Sequence, residues 1–389
     1  MSAATKIAAL AAASVLLTGC DLGRKVWEQT GYRGTGTDQI SDKSLLRDIA
    51  AIPPPPYPLD ASMLTGEKAN VTYKNVKVLG NLTTEEFNHA MAAITQWVAP
   101  GEAETQGCNY CHNPENMASD EKYTKVVARR MIQMTLNINQ NWQSHVQKTG
   151  VTCWTCHAGN NIPVNKWAAS DDGYDSSMVL RGNKHGQNTP DRNVGYASLP
   201  SDPFAAYLTG NTNNIRVASS SAYASADHKV SIKDAERSYG LMMHISKSLG
   251  VNCTYCHNTQ SFKAWNLSRA QRGTAYYGIR MVRDVNHDYI SPLTSVFPAN
   301  RKGALGDPYK VNCLTCHQGL SKPLNGVSML PDYPYLRGPA GAMNGPTTIA
   351  ATSGAATGSQ AAAPATPADA NAVTQAIADP AGMTDKSGK

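Results

Sequence analysis

Cysteine and histidine are the chemistry-bearing residues of this chain, and they recur at one spacing. Cys108-Asn109-Tyr110-Cys111-His112, Cys153-Trp154-Thr155-Cys156-His157, Cys253-Thr254-Tyr255-Cys256-His257 and Cys313-Leu314-Thr315-Cys316-His317 are four copies of Cys-x-x-Cys-His. Two thiols spaced this way can add to the two vinyl groups of one porphyrin, and the histidine that follows lies beneath the ring as an axial iron ligand. One copy alone could be half of a zinc site. Four copies use eight of the nine cysteines. The pattern therefore reads as four covalently attached c-type haems, with His112, His157, His257 and His317 as their proximal ligands.

The second axial position decides between electron transfer and catalysis, because an open iron binds small molecules. Methionine is one candidate, since a thioether ligand favours ferrous iron and raises the potential. Met91, Met131 or Met134, and Met242 or Met243 stand on apolar stripes ahead of successive motifs. A methionine on such a stripe also serves as core filler. Histidine is the other candidate, and His89, His145, His185, His228, His244 and His287 lie outside the motifs. Local spacing alone pairs His145 with the second motif, and Met281 or His287 with the fourth.

Helices are needed to position these groups, and each motif has a helical pattern upstream. Thr83 and Glu86 form a capping box ahead of the stripe Phe87, Met91, Ile94 and Val98, which ends before Pro100. Val127, Met131, Met134 and Ile138 make a second stripe. Ser231 and Asp234 cap a third that carries Met242, Ile245 and Leu249 and stops at Gly250. Ala275, Ile279 and Val282 mark a fourth. No strand pattern competes with them.

The halves repeat. Residues 85–94 (EEFNHAMAAI) parallel 236–245 (ERSYGLMMHI), Arg130-Met131 parallels Arg280-Met281, and Cys-x-Thr-Cys-His-x-Gly recurs at Cys153 and Cys313. The fold class is thus mainly α with much irregular loop, a multihaem cytochrome c of two duplicated helix–turn–haem-motif modules, at 80–164 and 230–337. A loop region, 165–229, joins them. Residues 20–79 form an N-terminal arm with the extended run Pro53-Pro54-Pro55-Pro56-Tyr57-Pro58. The Ala/Pro-rich tail, 338–389, is expected to be disordered.

Cys20 is the ninth cysteine. Lys6 precedes an apolar stretch, Ile7 to Leu17, too short to span a bilayer and similar to a signal-peptide core. It runs into Leu17-Thr18-Gly19-Cys20, which looks like a lipoprotein lipobox with 1–19 as the signal peptide. Lipid on Cys20 would hold an exported chain at the membrane face. The formal charge of +6 does not argue for nucleic acid, because the propionates of four haems would more than offset it. Local charged patches that steer a soluble redox partner are the better reading.

These motifs, the lipobox and the duplication closely resemble the tetrahaem cytochrome c subunit of purple-bacterial photosynthetic reaction centres. The likeness covers nearly all of residues 15–335, including Asn81-Leu82-Thr83, Val126-Val127-Ala128-Arg129-Arg130-Met131 and Gly278-Ile279-Arg280-Met281-Val282-Arg283-Asp284. It implies Met91, Met131 and Met242 as sixth ligands of the first three haems. It gives the fourth two histidines, His317 and His145, and leaves Met281 as packing. It further implies a subunit on the periplasmic face of the photosynthetic membrane. That subunit re-reduces the photo-oxidised bacteriochlorophyll special pair with electrons from a soluble periplasmic cytochrome c or high-potential iron–sulfur protein. The haems would stand in the order third, fourth, second, first, with the third nearest the special pair. The implied partners are the membrane subunits of the reaction centre, and the implied role is an electron carrier, not an enzyme. A multihaem reductase is the rival class. It needs a vacant iron position, whereas the plausible sixth ligands here equal the haems in number.

Overall fold

A computed structural model describes residues 52–101, 107–169, 191–200, 202–210, 215–217 and 230–337, and the backbone of 25–29 and 38–42. Cys20, the lipobox and the 338–389 tail lie outside the described residues, as do His185 and His228.

Four long helices stand where the apolar stripes place them. Helix α1, Thr84–Val98, opens on the reciprocal Thr83–Glu86 box, in which Glu86 N donates to Thr83 Oγ1 (3.1 Å) and Thr83 N to Glu86 Oε2 (2.9 Å). Helix α2, Tyr123–Asn141, ends at Trp142, and one further turn, α3 (Gln143–Val146), follows. A short helix α4 spans the second motif, Cys153–His157. Helix α5, Ile232–Leu249, is capped by Ser231 and Asp234 and closed by Gly250 in the left-handed conformation. Helix α6, Ala270–Asp284, runs into a π-helical turn, Val285–Ile290, and α7, Cys313–His317, carries the fourth motif.

The described residues are mainly helix and loop, with one departure from the absence of strands expected from the sequence. Strands β1 (Lys25–Gln29) and β2 (Asp38–Asp42) pair antiparallel, within an arm that has no helical periodicity. β2 runs beside the turn at Cys253–Tyr255. The connecting region also differs from the expected loop. It supplies Trp167, Phe204, Tyr207 and Leu208 to a buried core, because these apolar residues sit among the polar ones that dominate its composition.

Two apolar cores hold the helices. The first joins Leu79, Ala90, Trp97, Ile132, Leu136 and Trp154 to the C-terminal segment Met329–Leu336. The second joins Ile138 of α2 to Leu241, Ile245, Ile279, Val282 and Ile290. Helix α2 therefore enters both cores. Asn139 fixes it to the returning chain, donating from Nδ2 to the carbonyls of Val151 and Leu336 (both 2.9 Å) and accepting from Val151 N (2.7 Å). The Pro-rich run is non-helical, with a bend at Pro56 and Tyr57 in place of a wholly extended run, and is pinned at Tyr57, whose carbonyl contacts His89 Nε2 (2.9 Å). Each large apolar side chain buried in these cores contributes roughly 1.5–3 kcal/mol. Among the described residues, no helix is long and apolar enough to cross a membrane.

Candidate haem sites

Each motif is a single tight turn. The second and fourth are the helices α4 and α7, and in α7 Asn312 and Thr315 cap each other: Thr315 N donates to Asn312 Oδ1 (3.1 Å) and Asn312 N to Thr315 Oγ1 (2.9 Å). The first and third begin as 3-10 turns, yet His112 N still donates to Cys108 O and His257 N to Cys253 O (both 2.9 Å). Cysteines at i and i+3 and histidine at i+4 consequently share one face of the turn. Burial raises the thiols of Cys153 and Cys313 to about 12 and those of Cys111 and Cys256 to about 11, and the Cys316 thiol beside it first, then burial, raise the Cys156 thiol. Neutral thiols of this kind are poor zinc ligands. Among the described residues, no three His, Cys, Asp or Glu side chains converge where they could hold a metal ion. The donor set suits a porphyrin and does not suit zinc.

The imidazoles carry the closest test of fit. In His112, Nδ1 faces the carbonyl of Met117 (2.9 Å); in His157 that of Asn160 (2.8 Å); in His257 that of Phe262 (3.0 Å); in His317 that of Leu320 (2.8 Å). A carbonyl only accepts, so Nδ1 holds the proton and Nε2 keeps its lone pair for a metal. Outside the motifs, His145 repeats the arrangement, with Nδ1 on the carbonyl of Thr274 (2.9 Å). Burial lowers all five imidazoles below the ordinary histidine value, His317 to about 4, which keeps them in the neutral, ligating form.

Other histidines are committed elsewhere. His89 is fully buried and uses both nitrogens, on the Tyr335 hydroxyl and the Tyr57 carbonyl (2.9 Å each). His244 likewise meets the Asn193 carbonyl (3.0 Å) and Ser248 Oγ (3.1 Å). His287 is exposed and pairs with Asp288 (2.5 Å).

His145 comes across from α3 to the fourth motif. Its ring centroid lies 6.0 Å from that of His317, at 64° between planes. Two imidazoles bound to one metal from opposite sides, each at about 2 Å, have centroids roughly 6 Å apart. The ring is seated against α6 at Gly278, where a Cβ would lie 2.5 Å from His145 Cε1. The nearest-motif pairing of His145 with Cys153 therefore does not match the geometry, because tertiary packing brings α3 onto α6 and α7.

The methionines fall into two groups. Met131 lines an apolar, partly open cavity of about 100 Å³ together with His157 and Cys153, and Cys111 of the first motif borders the same space. Met91 is half-buried against the first core and Met242 against the second. Met134 packs on the second core, and the Met243 methyl reaches toward Gly195. Met281 is buried among Ile279 and Val282, and Met329 accepts a hydrogen bond from Thr152 at its sulfur (3.2 Å). The second and fourth motifs adjoin: Cys156 Sγ and Cys316 Sγ are 2.7 Å apart, and Gln318 Nε2 donates to Thr155 O (3.3 Å).

Two arginines stand beside these sites: Arg269, whose place next to the third motif is visible in the sequence, and Arg301, which motif reading does not reach. Arg301 borders the cavity, where its guanidinium donates to the hydroxyls of Tyr110 and Tyr123 (3.2 Å each). Arg269 has a buried, unpartnered NH1 beside the third motif, and its backbone N donates to Cys256 O (3.3 Å). Among the described residues neither guanidinium has a carboxylate partner, and such cations fit the propionates of a haem. Arg301 is far from its site in sequence, so only the fold reveals it.

Turns that offer two thiols and a prepared imidazole, with an apolar cavity alongside, define a cytochrome of the c type. The chain belongs to the photosynthetic reaction centre cytochrome c subunit family, whose model matches residues 22–337. It is 47% identical over 340 residues to the photosynthetic reaction center cytochrome c subunit of Rubrivivax gelatinosus, covering 87% of this chain and 91% of that one. The subunit of the same name from Thermochromatium tepidum is 46% identical over 331 residues, 85% of this chain and 79% of that one. For Roseobacter denitrificans the figures are 38% over 329 residues, 79% and 84%. This chain is accordingly an electron carrier of the photosynthetic reaction centre and not an enzyme; it binds c-type haem covalently and is associated with that membrane assembly.

Proposed function

We propose that the chain carries four haems and passes electrons from a soluble periplasmic cytochrome c or high-potential iron–sulfur protein to the photo-oxidised special pair. Haem supplies the one-electron couple; the chain supplies attachment, ligation, spacing and tuning. Cys108 and Cys111, Cys153 and Cys156, Cys253 and Cys256, and Cys313 and Cys316 are the attachment pairs. His112 with Met91, His157 with Met131, and His257 with Met242 are the axial pairs of the first three sites. His317 with His145 is the fourth. The observation that carries this set is the shared state of five imidazoles, each with Nδ1 tied to a carbonyl and Nε2 left for a metal.

Three juxtapositions support the order third, fourth, second, first. Helix α7 of the fourth site packs on α5, where Gly319 N donates to Ser248 O (2.8 Å). The fourth site meets the second at Cys156 and Cys316. The second shares its cavity wall with Cys111 of the first. Two duplicated two-haem modules, 80–164 and 230–337, account for the pairing of α4 with α7. Lipid on Cys20 is the membrane anchor on the periplasmic face, and β2 beside Cys253–Tyr255 favours the third site as the end nearest the membrane.

Replacing His145 with Ala tests the ligand set. One haem becomes high spin, and peptide mapping of a site-selective label assigns it to Cys313 and Cys316. Loss at Cys153 and Cys156 instead would overturn the assignment.

A further inference from the structure

The start of α2 grips the first motif more closely than the ligand set requires. Lys122 Nζ donates to Asn109 O, and Thr124 Oγ1 donates to Tyr110 O. Lys125 reaches past them to the loop that follows the motif, donating from Nζ to Met117 O and Ser119 O, both at 2.8 Å. Met117 O is also the carbonyl that His112 Nδ1 faces at 2.9 Å. One oxygen therefore accepts from an imidazole and from a lysine together. Lys125 is only 7% exposed. It faces two carbonyls and the Asp120 carboxylate (3.5 Å), groups that only accept, so Nζ is an ammonium and not a neutral amine. Asp120 does not cancel that charge, because it also takes Arg129 (2.8 Å) and Lys77 (3.3 Å), and one carboxylate stands among three cations. Asn75 closes the loop from outside, donating from Nδ2 to Ala118 O (2.6 Å) and to Asp120 Oδ1 (2.8 Å).

The repeat makes this a difference between the two halves. Setting Arg130-Met131 against Arg280-Met281 places Lys125 opposite Ala275 and Arg129 opposite Ile279. In the third site His257 Nδ1 faces Phe262 O (3.0 Å), while the neighbouring Arg272 donates to Ala264 O (3.1 Å) and Ser268 Oγ (2.7 Å). We propose that Lys125 is a positioning residue for His112 that raises the midpoint of the first site, acting through the Met117 carbonyl that the two side chains share. The proposal rests on the reading that His112 and Met91 ligate one haem. Two effects carry the same sign. A carbonyl already bonded to an ammonium accepts less strongly from Nδ1–H, so the imidazole is a weaker donor to ferric iron. The charge itself favours the ferrous state, which holds one positive charge fewer, and burial leaves it poorly screened. Asp120 acts in the opposite sense, since a carboxylate favours the ferric state.

Redox titration of the haem α-bands in native membranes separates charge from structure. Lys125→Met keeps the apolar stem and removes the charge, whereas Lys125→Gln removes the charge and keeps a donor for Met117 O. In both, one band should show a reduced-to-oxidised ratio about tenfold lower at fixed potential, a midpoint fall of about 59 mV for one electron, with that haem still low spin. In Asp120→Asn the same band should move the other way, to a higher midpoint. A loosened loop would shift all three variants alike, so opposite signs are the mark of the charge. No shift in the Lys125 variants, or a shift of the same sign in Asp120→Asn, overturns the proposal. Met91→Ala tests the ligand reading separately. The same band should turn high spin there, and haems that all stay low spin overturn that reading whatever the midpoints do.

Discussion

Gly278→Ala puts the placement of His145 under direct strain. An alanine Cβ would lie 2.5 Å from His145 Cε1, 2.8 Å from Nδ1 and 3.1 Å from Nε2, whereas ordinary contact begins at 3.4 Å. The ring must shift by about 0.9 Å, against a metal bond of only about 2 Å, and the crowded Nδ1 is the atom tied to the Thr274 carbonyl on the same helix. Ligation and the added methyl are therefore incompatible. Overpacking costs about 1–3 kcal/mol, against about 1 kcal/mol that alanine returns to a helix in place of glycine. The expected net loss of stability is about 0–2 kcal/mol, small beside the spectroscopic effect. Gly273→Ala in the same helix is the control, because its Cβ meets nothing within 4 Å, and it should stabilise by about 1 kcal/mol. Electron paramagnetic resonance and optical spectra of the purified protein should show one haem turned high spin in Gly278→Ala and none in Gly273→Ala. Four low-spin haems in Gly278→Ala would refute the reasoning.

Met281→Leu should leave every haem low spin, since Met281 is core packing with Ile279 and Val282; the optical spectrum decides, and loss of a ligand there would sink the scheme. Leu136→Ala, at a buried position in the first core, should lower stability by about 2–5 kcal/mol in denaturant titration with the α-bands unchanged. Asp120 accepts from Arg129 (2.8 Å) and also meets Lys77, Lys125 and Asn75, and the Arg129 hydrogen bond above all holds its carboxyl well below the usual range. A depressed carboxylate stabilises above its unfolded value of about 3.9 and loses that contribution as pH falls. Thermal melts of Asp120→Asn should therefore trail the wild type at about pH 7, and the gap should begin to narrow below about pH 4 and shrink further as pH falls.

Local signals made much of this legible. Thr83 with Glu86 and Ser231 with Asp234 are capping chemistry written within four residues, so α1 and α5 begin where their side chains dictate. The Cys-x-x-Cys-His turns are equally local. His145 is different: proximity in sequence points it at Cys153, and only the seat made by Thr274 and Gly278, on a helix from the other half, turns it to His317. Arg301 and Lys125 were silent for the same reason, since a charged residue on a helix or loop ordinarily faces water. Strands β1 and β2 gave no signal because two short strands pair without building an alternating apolar face. Trp167 and Phe204 were hidden by the polar composition around them.

Flash-induced absorbance change in native membranes, with the haems poised reduced, tests the central claim most directly. The α-band and the special-pair bleaching are followed together. Haem oxidation in step with rapid recovery of the special pair is the predicted result. Intact haems that stay reduced while the special pair recovers by another route would contradict it.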